Sequence, residues 1–318
     1  MSLLQHVLVP DHGLIPPTAD LNVEQWAEGV IYVQPPMHCT QTLILSAGIH
    51  GNETAPIELL DRLYQQIMTG KLTLNVAVLF ILGHPEAIRC GLRYRDHDLN
   101  RLFGHNIMQQ GEESQRAQQL QHCLQQLYEK HGNTQLFHYD LHTAIRTSLL
   151  PRFALLPAQD RPYSAQLLNS LAHAQLDAVV YHRHDGHTFS AYSSQNLHAH
   201  SVTLELGQAK PLGQNDLTQF AAIEQTLADL LEQRPLPQCT AGYREFDVVD
   251  EILKQDADFI LHVVDDAANF STFAQGQLIA SQRSQCYTAH SSPSYLLFPN
   301  PHVATGLRAG LILAERWV

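Results

Sequence analysis

A continuous apolar run, Thr-Leu-Ile-Leu-Ser-Ala-Gly at 42–48, constrains the fold of this chain more than any other segment. A strand that is apolar on both faces has to be covered on both faces, as in the parallel sheets of α/β proteins. An amphipathic helix follows it, in which apolar side chains recur at helical spacing: Ile57, Leu60, Tyr64 and Ile67. The order of strand, polar turn and helix predicts an α/β domain with the turn at the carboxyl end of the strand.

The same alternation continues along the chain. Further apolar, strand-like segments lie at 75–83, 136–142, 153–157, 177–181 and 202–206. Helical periodicity is found at 112–131, 163–174 and 216–233. We therefore predict a mixed, largely parallel central sheet flanked by helices, with the proline-broken apolar pieces of residues 1–40 as edge strands or hairpins.

The pattern changes after the segment Arg-Pro-Leu-Pro-Gln at 234–238. From there to the last residue the apolar pieces are short and are separated by Asp, Gly, Ser and Pro. This composition predicts short strands and turns instead of helices. The predicted organisation is a catalytic α/β domain at 1–235 and a small β-rich domain at 236–318.

The charge of the chain limits its partners. Lys and Arg number 19 against 31 Asp and Glu, which gives a net charge of -12. Nucleic acids and anionic membranes require basic surfaces, so neither is an expected partner. The charge does not exclude an acidic small-molecule substrate, provided that a few arginines gather locally. No apolar run approaches the roughly 20 residues that span a bilayer, and the five cysteines show no paired spacing. We expect a cytoplasmic protein with reduced thiols, and the sequence predicts no particular oligomeric state.

Metal-binding residue types follow two of the predicted strands. His50 and Glu53 form a His-x-x-Glu step directly after the strand at 42–48, and His142 ends the strand at 136–142. Parallel strands end at one sheet edge, and catalytic zinc takes three protein ligands of these types. Each residue alone also fits an ordinary polar position at a strand end or a helix start. Together they indicate a metal site.

Two carboxylates accompany these residues. Asp140 lies two residues before His142, on the same strand face, where it can orient a ligating imidazole,. Glu205 is the lone acid in the apolar run Val-Thr-Leu-Glu-Leu-Gly. It is a candidate for the general base that a hydrolytic zinc site requires, although an exposed edge-strand acid would have the same sequence.

Arginines are concentrated in one short segment of this acidic chain: Arg89, Arg93, Arg95 and Arg101. Guanidinium groups bind carboxylates through two parallel hydrogen bonds, so the segment is a candidate binding loop for an acidic substrate. A solvated loop with local Arg–Asp pairs is the alternative.

Four motifs occur in a fixed order: AGIHGNE, RYRDHDLNRLF, DLHTA and TLELG. In order and in spacing they resemble the succinylglutamate desuccinylase/aspartoacylase family of the zinc carboxypeptidase superfamily. The resemblance covers roughly 40–235, and a small C-terminal β domain is also typical of that family. It implies a zinc-carboxypeptidase-like core.

The resemblance also implies site roles. One zinc ion per chain would be bound by His50, Glu53 and His142, with Glu205 as general base and acid. Arg93 would polarise the scissile carbonyl, and Asn100 with Arg101 would hold a substrate carboxylate. Residues of the acyl pocket are not specified by any motif, and the candidates are Arg95, Arg146 and Arg152.

The implied activity is hydrolysis of the amide of N2-succinylglutamate to succinate and glutamate, in arginine catabolism through succinylated intermediates. Another N-acyl amino acid hydrolase, such as an N-acetylaspartate deacylase, would use the same core. A peptidase and a non-catalytic metal-binding module are more distant alternatives. Glu205 and Arg93 argue against the latter, because metal binding alone needs neither.

Overall fold

The computed structural model describes residues 2–9, 20–104, 111–208, 210–238, 240 and 242–316. Its helices are α1 (Leu3–Leu8), α2 (Thr54–Met68), α3 (Pro85–Cys90), α4 (Glu112–His131), α5 (Ala165–His173), α6 (Phe189–Leu197) and α7 (Ala221–Leu231), with short 3-10 helices at Leu99–Arg101 and Leu217–Phe220. Over the described part of the chain, no helix combines the length and the apolar character that crossing a membrane requires.

The strands fall into two sets, before and after the proline-rich segment at 234–238. Those before it are β1 (Asn22–Ala27), β2 (Val30–Gln34), β3 (Gln41–Ala47), β4 (Ala77–Leu82), β5 (Gln135–Ala144), β6 (Arg152–Leu156), β7 (Ala178–Tyr181) and β8 (His200–Gln208). Those after it are β9 (Arg244–Leu253), β10 (Ile260–Leu261), β11 (Ser271–Phe273), β12 (Leu278–Ser281), β13 (Cys286–Thr288), β14 (Ser294–Leu297) and β15 (Arg308–Glu315).

Twelve of these strands form one sheet in the order β1-β2-β4-β3-β5-β8-β6-β7-β9-β15-β14-β11. Its centre, β4-β3-β5-β8, is parallel, and β6 runs antiparallel to β8. Helices lie on both faces, so the predicted mixed sheet with a parallel centre is confirmed.

The alternation of side chains along β3 explains why helices cover both faces. Leu43 and Leu45 pack in one core cluster with the apolar side of α2, whereas Ile44 packs in a second cluster with α4. All three side chains are almost completely buried. Burial on both faces is what the unbroken apolar run of this strand requires.

The C-terminal segment is rich in short strands, as predicted, but it does not form a separate sheet throughout. β9 pairs in parallel with β7, from Ala178 opposite Arg244 to Tyr181 opposite Asp247. β15, β14 and β11 then extend the same sheet, and only β10, β12 and β13 form a second, three-stranded one. The continuity of the sheet across the proline-rich segment was not predicted, because pairing between distant strands leaves no local pattern.

One prediction for the N-terminal region is wrong. Residues 3–8 form a helix instead of a strand, because the Ser2 hydroxyl accepts a hydrogen bond from the Gln5 amide while the Gln5 side chain accepts one from the Ser2 amide. This capping box satisfies two amides of the first turn. The apolar piece at 29–36 contains a strand, β2, as predicted, and the piece at 13–17 lies outside the described residues.

Candidate active site

Three neighbouring parallel strands end at the edge of the sheet where the candidate site lies. β3 leads into the turn that carries His50 and Glu53, β5 carries His142, and β8 carries Glu205. Gly51 lets this turn pack directly against α3, since a Cβ there would lie 2.1 Å from the Ala87 carbonyl carbon. The glycine between the two candidate ligands therefore keeps both of them at the sheet edge.

His50, Glu53 and His142 form a compact buried group, called the metal-binding group below because its side chains could hold a metal ion. Glu53 Oε1 lies 2.8 Å from His50 Nδ1, and Glu53 Oε2 lies 2.9 Å from His142 Nδ1. One potential ligand atom of each residue lies within 4.8 Å of the others, and all three side chains are buried. His50 Nδ1 has no partner in hydrogen-bond geometry although it is buried. Two imidazoles and a carboxylate, with one nitrogen left unpaired, fit a metal ion such as zinc.

The other nitrogen of each imidazole contacts a carboxylate. His142 Nε2 lies 3.1 Å from Asp140 Oδ2, and His50 Nε2 lies 2.9 Å from Asp98 Oδ1. Such contacts would orient a ligating imidazole and leave its Nδ1 available to a bound ion. Asp140 contacts the imidazole that the sequence predicts it to orient, whereas the contact of Asp98 with His50 was not predicted. Asp98 lies within the Arg-rich motif, but sequence spacing does not show which residues a loop turns toward His50.

Glu53 is oriented by two donors besides the imidazoles. The Thr143 amide donates to its Oε2 at 3.0 Å, and Arg93 Nη1 donates to its Oε1 at 2.8 Å. Burial opposes the charge of Glu53, but His50 and His142 hold its pKa well below the usual range of a glutamate. Glu53 is thus kept as a carboxylate, the form that binds a metal.

Glu205 lies directly opposite His142 in the parallel ladder between β5 and β8. Its side chain is buried, and its Oε2 has no hydrogen-bond partner. Burial and the nearby Glu53 carboxylate raise its pKa to about 8. A carboxyl group with a raised pKa and a free oxygen, next to a metal-binding group, is suited to proton transfer.

Asp140 is linked to a buried chain of hydroxyl and imidazole groups. The Ser46 hydroxyl donates to Asp140 Oδ1 at 2.6 Å and lies 2.8 Å from His138 Nε2. His138 Nδ1 lies 2.6 Å from the Ser193 hydroxyl. Burial lowers the pKa of His138 to about 4, so its ring is neutral. Because Ser46 donates to Asp140, we assign the ring proton to Nε2, which donates to Ser46, and Nδ1 accepts from Ser193.

The Arg-rich loop, which carries Arg93, Asp98, Asn100 and Arg101, contacts the group of His50, Glu53 and His142. Arg93 reaches Glu53, as described, and its side chain is 28% exposed. Asn100 is buried, and its Oδ1 accepts a hydrogen bond from the Phe189 amide at 2.9 Å. Arg101 is exposed and donates to the Asn100 carbonyl at 2.9 Å. Asp98 connects the loop to the metal-binding group, since it contacts His50 and caps the Asn100 amide.

The three arginines considered for the acyl pocket all have other contacts. Arg95 is exposed, with its Nη1 3.8 Å from the Cys90 sulfur. Arg146 donates to the Asp265 carbonyl, and Arg152 pairs with Asp177 at 3.4 Å. None of these three guanidinium groups hydrogen-bonds or forms an ion pair with His50, Glu53 or His142.

Two family models match the chain. The model described as succinylglutamate desuccinylase/aspartoacylase catalytic domain matches residues 39–231. The model described as AstE/AspA barrel-sandwich hybrid domain matches residues 242–316. The first match includes the metal-binding group, Glu205 and the Arg-rich loop.

Individual proteins match over nearly the whole chain. A succinylglutamate desuccinylase of Yersinia pestis (strain Pestoides F) is 44% identical over 301 residues, which are 94% of this chain and 91% of the relative. The crystal structure of the Chromobacterium violaceum succinylglutamate desuccinylase has a TM-score of 0.89 at 34% identity and covers 100% of this chain and 98% of its own. The Vibrio parahaemolyticus structure has a TM-score of 0.93 at 30% identity, covering 99% and 95%.

Proposed function

The chain belongs to the succinylglutamate desuccinylase/aspartoacylase family, and we propose that it hydrolyses the amide of N2-succinylglutamate to succinate and glutamate. The resemblance of the sequence motifs to this family is thus confirmed. The substrate is proposed from the names of the relatives and from the local chemistry of the site. It carries three carboxylates at neutral pH, which would match the arginines gathered in this acidic chain.

The observation that carries the proposal is the arrangement of Glu205 beside the buried group of His50, Glu53 and His142. Glu205 lies opposite His142 in the ladder and has a free carboxylate oxygen. Hydrolysis of an amide needs a group that takes a proton from water and returns it to the leaving nitrogen. A buried carboxyl with a raised pKa, held on a strand next to a metal-binding group, supports that role for Glu205.

We propose that His50, Glu53 and His142 bind one zinc ion per chain through the two Nδ1 atoms and the carboxylate. Zinc is favoured because two imidazoles and one carboxylate form a typical catalytic set for it. When bound, the ion supplies a Lewis acid that acidifies water and polarises the amide carbonyl. Asp98 and Asp140 hold the two rings in the orientation that this binding needs.

Arg93 is proposed to stabilise the negative charge that develops on the carbonyl oxygen of the amide. Its guanidinium contacts Glu53 and its side chain is 28% exposed, so it can reach a bound substrate as well as Glu53. A fixed cation at this point stabilises the transition state more than the ground state.

Asn100 and Arg101 are proposed to bind a carboxylate of the glutamate moiety. The Oδ1 of Asn100 is occupied by the Phe189 amide, and its Nδ2 donates to none of the described residues. Arg101 donates only to the Asn100 carbonyl among the described residues. An amide N–H and a guanidinium side by side provide the donors that a carboxylate accepts.

Two further features are proposed on the same basis. Residues 1–235 would form the catalytic unit and 236–318 a second unit, which the change of secondary structure and the two separate family matches support. A cytoplasmic enzyme of arginine catabolism is the setting that the family resemblance implies. The described cysteines Cys39, Cys90, Cys123 and Cys286 are free thiols, as a reducing compartment would keep them,.

The test is a comparison of substrates at one zinc concentration. We expect kcat/KM on N2-succinylglutamate to exceed that on N-acetylglutamate and N-acetylaspartate, because cationic donors that pair the succinyl carboxylate stay unpaired with an acetyl group. A ratio near one would favour a broader acyl amino acid hydrolase, and a preference for N-acetylaspartate would favour the aspartoacylase alternative.

A further inference from the structure

Glu113, in the first turn of α4, is a completely buried acid outside the metal-binding group. An acid at the start of a helix is common, because it favours the partial positive charge there, but such an acid is usually exposed. Glu112 precedes it in the same turn and has the expected exposure. The burial of Glu113 requires partners of its own, since a carboxylate without hydrogen bonds is costly to bury.

The partners of Glu113 include two adjacent backbone amides of the Arg-rich loop. Its Oε1 accepts hydrogen bonds from the Arg95 and Asp96 amides, each at 2.9 Å, and lies 3.3 Å from His84 Nε2. His84 Nδ1 accepts from the Ala87 amide, so we assign the ring proton to Nε2, which donates to Glu113,. Burial opposes the charge of Glu113, but hydrogen bonds from backbone amides and from His84 hold its pKa below the usual range of a glutamate. Glu113 is thus a carboxylate bonded to the loop.

These two hydrogen bonds fix the middle of the loop. Arg93 lies before the bonded amides and Asp98 lies after them, and both of these side chains contact the metal-binding group. Between them, at 94–97, the loop backbone forms no hydrogen bond with any described residue other than Glu113. This stretch belongs to no helix or strand, so its conformation depends on an outside partner,.

The helix that carries Glu113 is itself fixed to the end of the central sheet. Arg116, three residues further along α4, donates from Nε to the Gly83 carbonyl at 2.7 Å and from Nη2 to the Leu82 carbonyl at 3.0 Å. The Gly83 amide in turn donates to the carbonyl of Ala47, the last residue of β3. The start of α4 is therefore joined to the ends of β4 and β3, and Glu113 bonds the loop to this unit.

We propose that Glu113 is a positioning residue, which holds the Arg-rich loop so that Arg93 and Asp98 reach the metal-binding group. The inference rests on the proposed function for the catalytic task of Arg93 and for the binding of a metal. Without this carboxylate the two loop amides would turn toward water, and the loop would move away from the metal-binding group. Catalysis is sensitive to such movement, because a displacement of about 1 Å can lower the rate by about 100-fold.

The test compares Glu113→Ala with the parent in steady-state kinetics on N2-succinylglutamate and in zinc affinity, measured by competition with a chelator. We expect kcat to fall by about 10- to 100-fold, because Arg93 is displaced, and zinc affinity to fall by about 3- to 10-fold, because the contact of Asp98 is loosened. KM should change by less than about threefold, since Asn100 is held by a separate hydrogen bond,.

Double variants separate positioning from a general loss of stability. If Glu113 acts through Arg93, Glu113→Ala should lower kcat by less than about threefold when Arg93→Ala is already present, whereas the effects of independent residues would add. In the same way, it should weaken zinc binding by less than about twofold when Asp98→Ala is already present. Fully additive losses in both double variants would overturn the proposal.

Three single variants serve as comparisons. Glu113→Gln keeps an acceptor oxygen for the two amides and should recover most of the kcat, although its amide nitrogen, at the position of the unpaired Oε2, should lower the melting temperature,. Glu113→Asp keeps the charge at the start of α4 but is one methylene shorter, so it should lose kcat as Glu113→Ala does. If Glu113→Ala does not fold, these two variants make the same comparison.

Glu112→Ala is the matched control, because it removes the exposed acid of the same turn and should leave kcat and zinc affinity unchanged. An equal loss of kcat in Glu112→Ala, or in Glu113→Gln, would leave Glu113 only a role in the stability of α4 and would overturn the proposal.

Zinc affinity separates this proposal from the proposed function, because its measurement requires no substrate. If the parent binds zinc but hydrolyses a different acyl amino acid, the expected loss of affinity in Glu113→Ala is the same. A parent that binds no zinc would reject the proposed metal site, and the kcat values of the single and double variants would still test Glu113. Unchanged kcat in a folded Glu113→Ala would reject the role of Glu113 in either case.

Discussion

The candidate site has a strand-borne half and a loop-borne half that differ in burial. Asp140, His142 and Glu205 stand on β5 and β8, and the side chains of the first two are at most 2% exposed. Asp98 and Arg93 stand on the Arg-rich loop, where the exposed fractions of their side chains are 23% and 28%. His50 and Glu53, in the turn after β3, contact both halves.

The difference assigns different tasks to the two halves. Strands fixed by ladders on both sides hold side chains to within a narrow range of positions, which metal binding and proton transfer require. Loops carry recognition residues because they tolerate variation without disturbing the core. We therefore expect changes in the strand-borne half to affect metal binding and kcat. Changes at loop residues that do not contact His50 or Glu53, such as Arg101, should affect KM.

The largest effect is expected from His50→Ala, which removes the ligand shared between the halves. The variant should lose both the metal and the activity, while its far-UV circular dichroism remains that of the parent. A sheet of twelve strands and two core clusters does not depend on the ion for folding,. Full zinc occupancy of the variant by elemental analysis would contradict the assignment of His50.

Glu205→Gln should come next. The amide keeps the shape of the side chain but cannot accept a proton, so kcat should fall by roughly 10²- to 10⁴-fold, the range for loss of a general acid–base group. Metal content should stay that of the parent, because Glu205 is not placed among the ligands. Near-normal kcat in this variant would exclude Glu205 as the base.

Much of the strand-borne half is predictable from the sequence. His142 and Asp140 lie in an apolar run that ends as a strand, and a period of two places both on one face,. The run around Glu205 likewise predicts a strand with one acid in it, and the burial of Glu205 excludes the exposed edge-strand acid that the sequence left open. Parallel neighbours then end at one edge, which explains why residues distant in sequence could be expected to meet.

The loop-borne half and the C-terminal segment are much less predictable. Asp98 contacts His50, and Ser46 bonds to both His138 and Asp140, through contacts that span more than 40 residues of chain. No periodicity encodes such contacts. Nor do sequence patterns specify the pairing of β9 with β7 and β15, which joins the C-terminal segment to the central sheet.

Arg93 and Arg101 both lie on the Arg-rich loop, but we propose a role in catalysis for Arg93 and a role in substrate binding for Arg101. Arg93→Ala should lower kcat by roughly 10²- to 10³-fold, as expected for a group that stabilises charge developing in the transition state. Arg101→Ala should mainly raise KM, because the carboxylate that we propose it binds is present in both ground and transition states. Steady-state kinetics on N2-succinylglutamate give both values, and identical effects of the two substitutions would reject the division.

Arg93→Ala should also change the pH dependence. Burial and Glu53 raise the pKa of Glu205, whereas the positive charges of His142 and Arg93 lower it. Removal of the guanidinium therefore raises this pKa further. Since the base acts as a carboxylate, the acidic limb of the kcat/KM profile should move to higher pH in the variant. A shift to lower pH would show that this limb does not report Glu205.

Asp140→Asn and Asp98→Asn compare the two halves directly. Each removes the charged partner of one ligating imidazole, and zinc affinity should fall by about 10- to 100-fold. The loss should be greater for Asp140, which is completely buried and held by Ser46, than for Asp98, where water can replace part of the contact. Competition with a chelator measures both affinities. A greater loss for Asp98→Asn would reverse the comparison.

The smallest effect is expected from Ser46→Ala, which leaves Asp140 in place and removes the group that fixes it. The Ser46 hydroxyl donates to Asp140 Oδ1 at 2.6 Å, and without it this buried oxygen loses a partner. Asp140 keeps its contact with His142 but is free to rotate, so zinc affinity should weaken only roughly 2- to 10-fold. Ser194→Ala is the matched control, since Ser194 is equally a buried serine but bonds to Gln159, outside this chain of contacts. If both serine variants bound zinc equally, Ser46 would be a packing residue, and orientation of His142 would depend on Asp140 alone.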